Sequence, residues 1–159
     1  MRRLILPVLV LACASVAFSR PAEFRWPPWL SIEAPVNPFD HDSRGALLLV
    51  HASSREGAPV AANLAGSAQG IVNGTRRTIA IHFDSTSRPG VFAVRKQWPS
   101  DGTWLLQISY YNTTAIVVLD RDGEVASVRV PTRLESGNQI PRAVAAREID
   151  STLAAASHR

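Results

Sequence analysis

Cysteine is almost absent from this 159-residue chain: Cys13, inside an apolar N-terminal run, is the only one. A chain cut before residue 20 carries no thiol. That excludes intramolecular disulfides, thiolate zinc sites, iron–sulfur ligation and cysteine nucleophiles. Methionine is as scarce, with Met1 alone, so the soft thioether clusters that suit Cu(I) have no ligands here. Long apolar runs are missing as well. The stretch 4–12 falls short of the roughly 20 residues that a spanning helix needs, and no later run is longer. Signatures of catalysis are also lacking: there is no G-x-S-x-G elbow, no H-E-x-x-H, no Gly-rich phosphate loop and no S-x-x-K. The acidic residues fall mostly in predicted turns, where solvent holds carboxyls near their ordinary pKa values. The expectation is a protein that is not an enzyme and has no cofactor.

What the N-terminus does contain is an ordered signal. Arg2 and Arg3 give a positive start, residues 4–12 an apolar centre, and Ala17 and Ser19 small residues before Arg20. That order is a secretory signal peptide over 1–19, and it predicts export to the periplasm or beyond. Val10-Leu11-Ala12-Cys13 supports a second reading, a lipoprotein box in which Cys13 is lipidated and the domain is tethered to a membrane. Seventeen basic residues stand against 13 acidic ones, and Lys96 is the only lysine. With residues 1–19 removed, the balance is 15 to 13. The only basic doublets are Arg76-Arg77 and Arg95-Lys96, so no concentrated basic face is expected and no nucleic-acid partner. Arginine in place of lysine, with abundant alanine, is the composition of GC-rich bacterial coding.

Residues 20–45 form a proline-rich lead. Proline at this density blocks helix and central strand alike, leaving one edge strand near 29–34 with Trp26 and Trp29 pinning the lead to the body. From residue 46 the texture is all-β. "ALLLVHA" (46–52) is a continuous apolar run, and "RTIAIHF" (77–83) alternates with Ile79, Ile81 and Phe83 facing one way. "AIVVLD" and "EVASVRV" flank Arg121-Asp122-Gly123. Asn73-Gly74, Asp101-Gly102 and Asp122-Gly123 are hairpin signals, because primed turns need positive φ. Seven or eight short strands over 46–131 predict an antiparallel β-sandwich. Residues 132–159 read as a linker and a short amphipathic helix, with Val144, Ile149 and Leu153 near one face.

The most patterned stretch is "RPGVFAVRKQWPSDGTWLLQISYY", 88–111. Trp104, Leu106, Ile108 and Tyr110 share one strand face, which predicts a core hairpin turned back by "WPSDG". Trp98, at that turn, is expected to stay partly exposed. Pro89-Gly90, an aromatic at Phe92, a short strand and then Gly102-x-Trp104 resemble the motif of YtkA-like and FixH-like exported bacterial domains, over about residues 60–110. The resemblance implies an immunoglobulin-like sandwich. It also makes copper the first chemistry to weigh, since related folds include copper-handling periplasmic domains.

Four histidines are present: His41, His51, His82 and His158. His41, His51 and His82 are the candidate metal ligands for Cu(II) or zinc, although none has a partner at i+2 or in an H-x-x-x-H spacing. "DRDGE" (120–124) lacks the rest of a calcium loop and is explained by a turn. Trp98 and Tyr111 are the candidate ligand-binding aromatics, offering flat contact area for a sugar ring or a protein. The expected function is therefore a non-catalytic accessory or interaction domain of the bacterial envelope. Its partner would be an envelope protein that pairs with an open sheet edge. Metal handling through dispersed histidines is the alternative.

Overall fold

Leu48, Leu49 and Val50 sit side by side and are all fully buried, which explains why 46–52 reads as one continuous apolar run. Leu48 and Val50 join the main core. Leu49 points the other way and packs with Val91 and Ala93 under Val36 of the lead and Ala46. A strand covered on both faces loses the alternation of a half-exposed one.

The computed structural model describes residues 28–54 and 56–157; the leader with Cys13, Trp26 and His158 lie outside the described residues. One sheet runs in the order β1 (Trp29–Glu33), β2 (Leu48–Ser53), β6 (Val91–Val94), β5 (Asp84–Ser85). The larger sheet runs β4 (Thr75–Ala80), β3 (Ala65–Val72), β7 (Thr103–Tyr110), β8 (Thr113–Leu119), β9 (Val125–Arg129). A separate pair, β10 (Thr132–Glu135) and β11 (Asn138–Pro141), precedes the helix α1 (Ala146–Ser157). Every pairing is antiparallel. The two larger sheets share one core, with Leu30, Val50 and Val94 from the first meeting Ala68, Leu106, Ile108 and Val117 from the second. The architecture is all-β, sandwich-like, with a single C-terminal helix. Thr113, fully buried in the five-stranded sheet, donates its hydroxyl to the Pro28 carbonyl at 2.6 Å and so ties the start of β1 to β8.

On the outer face of the larger sheet, Leu105 and Ile116 are covered by Ile149 and Leu153 of α1, with Ile71, Val118 and Val144 packed around them. The helical face expected from Val144, Ile149 and Leu153 is thus the docking face.

Several expectations are corrected. The stretch 91–110 is not a hairpin, because β6 and β7 belong to different sheets and residues 95–102 carry the chain across the end of the core. Trp98 lies on that crossing, and it is 4% exposed and part of the main core. A hairpin tip would leave it in solvent, whereas a crossover drives it between the sheets. The run 77–83 is likewise not one strand. β4 stops at Ala80, and 81–83 cross toward β5 while Ile81 and Phe83 keep their hold on the core. Within the segment read as linker, β10 and β11 form a hairpin through Ser136-Gly137, with φ of 50° and 80°. Among the described residues there are eleven strands rather than seven or eight; the excess is that pair and the two-residue β5.

Glycine matters most at Gly70, the β3 residue directly opposite Trp104 on β7. A Cβ there would lie 2.5 Å from the indole ring, so only glycine lets Trp104 lie against the strand. The indole Nε1 meanwhile donates to the Asp101 carbonyl at 2.8 Å. Gly70→Ala must displace that ring, and overpacking of this kind costs about 1–3 kcal/mol. The expected result is a lower urea midpoint at unchanged m.

Candidate interaction surface

The three histidines within the described residues sit in separate surroundings. His51, on β2, places Nε2 2.8 Å from Glu33 Oε2 on the neighbouring β1. His82, which is exposed, lies 3.4 Å from Asp84 Oδ1, and the other Asp84 oxygen is held by Arg95. His41 is on an exposed loop whose carboxylates are used elsewhere. Asp40 pairs with Arg88. Asp42 accepts the Ser87 amide at 2.9 Å, and the Ser87 bonds hold its carboxyl below the ordinary value. Among the described residues no group of three or more His, Cys, Asp or Glu comes together that could hold a metal ion. His41, His51 and His82 are not brought to one site. In the 120–124 turn, the Asp120 carboxylate accepts the amides of Asp122 and Glu124, both at 2.9 Å; it closes a hairpin.

The aromatics divide differently from the expectation. Trp98 is core, as described above. Tyr111 is 80% exposed, and it sits in the β7–β8 turn rather than on a strand. Its φ is 49°, a left-handed conformation that is an outlier for a bulky side chain. The Tyr110 ring meets it edge-on with centroids 4.7 Å apart, and the Tyr110 hydroxyl donates to the Ala61 carbonyl at 3.4 Å. Trp29, 38% exposed, starts β1 at the same end of the domain, next to the Pro28–Thr113 bond.

A second surface lies at the edge of the larger sheet. Among the described residues β9 is its outermost strand, paired to β8 on one side only, and Ala126 to Arg129 are all exposed. Between β9 and α1 runs a groove of about 520 Å³, floored by Ile116 and Val118 and walled by Ser127, Arg129, Thr152 and Ala155. Arg129 reaches the Thr152 hydroxyl at 3.4 Å and forms no ion pair among the described residues. The helix carboxylates are taken. Asp150 pairs with Arg76 of β4 at 2.5 Å, and Glu148 takes both terminal nitrogens of Arg142, at 2.7 and 2.8 Å. Both walls of the groove were expected as elements, a strand and a short amphipathic helix. That they lie side by side had no signal in the sequence, because adjacency depends on strand order.

Comparison with family models, with curated proteins and with solved structures finds no match to this chain. The surface itself therefore carries the functional argument.

Two outcomes follow from this geometry. Tyr111→Gly relieves the left-handed strain at the turn and is expected to raise stability by about 1 kcal/mol, measured by urea unfolding. Glu148 titrates at about 2, lowered chiefly by the Arg142 hydrogen bonds and further by the Ala145 amide. The folded carboxyl is thus more acidic than its ordinary 4.5. Its contribution is complete above that value and is lost as pH falls through about 2. Amides of α1 are expected to lose hydrogen-exchange protection over that window, and Glu148→Gln to show the weaker protection at every pH.

Proposed function

We propose that the protein is an exported, non-catalytic β-sandwich domain of the bacterial cell envelope that engages a protein partner through the edge of its larger sheet. The observation that carries this reading is β9, an outermost strand among the described residues, with four consecutive exposed residues, no proline, no lysine and a single charge, Arg129. An open edge presents unpaired backbone groups that another strand can satisfy. Export rests on the leader-like order of residues 1–19.

The finer fold within this reading is immunoglobulin-like. In such sandwiches the first, second, fifth and fourth strands form one sheet, and the remainder the other. The orders β1-β2-β6-β5 and β3-β7-β8 follow that scheme, with β4 as an added strand beside β3 and β9 lying beyond β8. Kinship with the YtkA-like and FixH-like domains is proposed on the same footing. Pro89-Gly90 stands just before β6 and Gly102-x-Trp104 opens β7, where that motif has its strand starts.

The test is capture from native envelope extract by immobilised protein, comparing wild type with Val128→Lys, a charge set on the edge, and with Tyr111→Gly. Capture lost in Val128→Lys at an unchanged thermal midpoint, with slowed exchange of the β9 amides in the complex, is the expected result. Capture that survives Val128→Lys and disappears in Tyr111→Gly moves the site to the aromatic turn. A zinc- or copper-induced thermal shift abolished by His51→Ala would favour metal handling instead.

A further inference from the structure

Building on β9 as the partner-binding edge, we propose that β9 and α1 together form a receptor for an extended, acidic segment of a partner protein. The segment adds a strand to β9, places an apolar side chain in the groove, and gives a carboxylate to Arg129.

Three features of the site select this occupant. The first is the backbone. Among the described residues β9 has a neighbour on one side only, and its outward amides and carbonyls match an extended chain; a helix has no free backbone groups to offer them. The second is the groove. Its volume of about 520 Å³ lies in the range of roughly 300–1,000 Å³ typical of ligand pockets. Its floor is the apolar pair Ile116 and Val118, and the helix contributes Ala155 and Ala156, whose short side chains leave the space open. Strand side chains alternate, so a segment paired with β9 turns every second residue to that side of the sheet.

The third feature is charge. Arg129 is the one ionised side chain lining the groove. Among the described residues its side chain makes only the long bond to Thr152, while the carboxylates of α1 are committed to Arg76 and Arg142. Arg129 lies near enough to Glu148 to help lower its carboxyl, but among the described residues it forms no direct ion pair. Such a guanidinium beside an open edge favours an incoming Glu or Asp and disfavours Lys or Arg. The same reasoning weighs against a second copy of this chain as the occupant. β9 reads Val-Ala-Ser-Val-Arg, so strand-to-strand self-pairing supplies another arginine, and the nearest acidic residue, Glu124, stands just outside the strand. The two edges of the sheet also differ: β4 carries Arg76 and Arg77 side by side on exposed positions, with Arg76 bound to Asp150 and Gln69, and two adjacent charges blunt an edge more than the single one on β9.

The experiment uses the full chain and three fluorescent peptides in anisotropy titrations: alternating Val-Glu, alternating Val-Lys, and the Val-Glu peptide with its backbone amides methylated. Saturable binding is expected for Val-Glu only. Arg129→Gln is expected to weaken it about tenfold, as for loss of one charge-assisted contact, with the thermal midpoint unchanged. Equal affinity for the Val-Glu and Val-Lys peptides, no binding of Val-Glu, or an Arg129→Gln variant with wild-type affinity each overturns the proposal. If Arg129→Gln keeps full capture of envelope proteins while Val128→Lys loses it, the edge reading stands and the acidic occupant is wrong. If sedimentation shows a dimer that Val128→Lys dissolves, the occupant is a second copy.

Discussion

Strands β7 and β8 of the larger sheet bury apolar side chains on both faces, and most of the domain's organisation follows from that constraint. Inward, Trp104, Leu106 and Ile108 of β7 with Ala115 and Val117 of β8 fill the space between the sheets. Outward, Leu105 and Ile116 are equally buried, and a second layer must cover them. A short helix does so with two side chains, Ile149 and Leu153. Its position is fixed from three sides by polar contacts: Arg142 at its start, Arg76 toward one edge of the sheet, Arg129 toward the other. Burial supplies the attraction and the arginines set the seat. Exposed pairs of this kind add little energy individually.

Local features of this design were legible in the sequence. Asn73-Gly74 and 121–123 do join neighbouring strands, the proline-rich lead does contain one edge strand, and the helix docks by the residues its periodicity named. Each of these depends on a few adjacent residues. The failures concern partners far apart in sequence. A Pro-rich turn and an Asp-Gly pair look alike whether the chain folds back within a sheet or crosses to the opposite one, so Trp98 was misplaced along with its loop. The β10–β11 pair carries a Ser-Gly turn, but strands of four mostly polar residues give no alternation to read.

The candidate site shows the same division. His41, His51 and His82 were selected by residue type alone, and the fold disperses them into separate contacts with carboxylates or loop positions. Tyr111 was correctly singled out as an exposed aromatic, while its left-handed backbone depends on the tightness of the β7–β8 turn. The β9–α1 groove was invisible in advance. Its two walls are brought together only by the strand order and by a helix lying over β3 and β7.

The slenderness of the helix attachment has a consequence for how the protein ages. Two buried side chains near the chain end hold down a cover whose removal bares Ile71, Leu105, Ile116 and Val118, next to a strand edge that is already open. Local opening is easiest where few apolar contacts must break. A protease that trims the C-terminal turn thus yields a domain with its main core intact and a greasy sheet face uncovered. Such a species would self-associate through that face while its sandwich stays folded, so α1 guards the domain against aggregation as well as walling the groove.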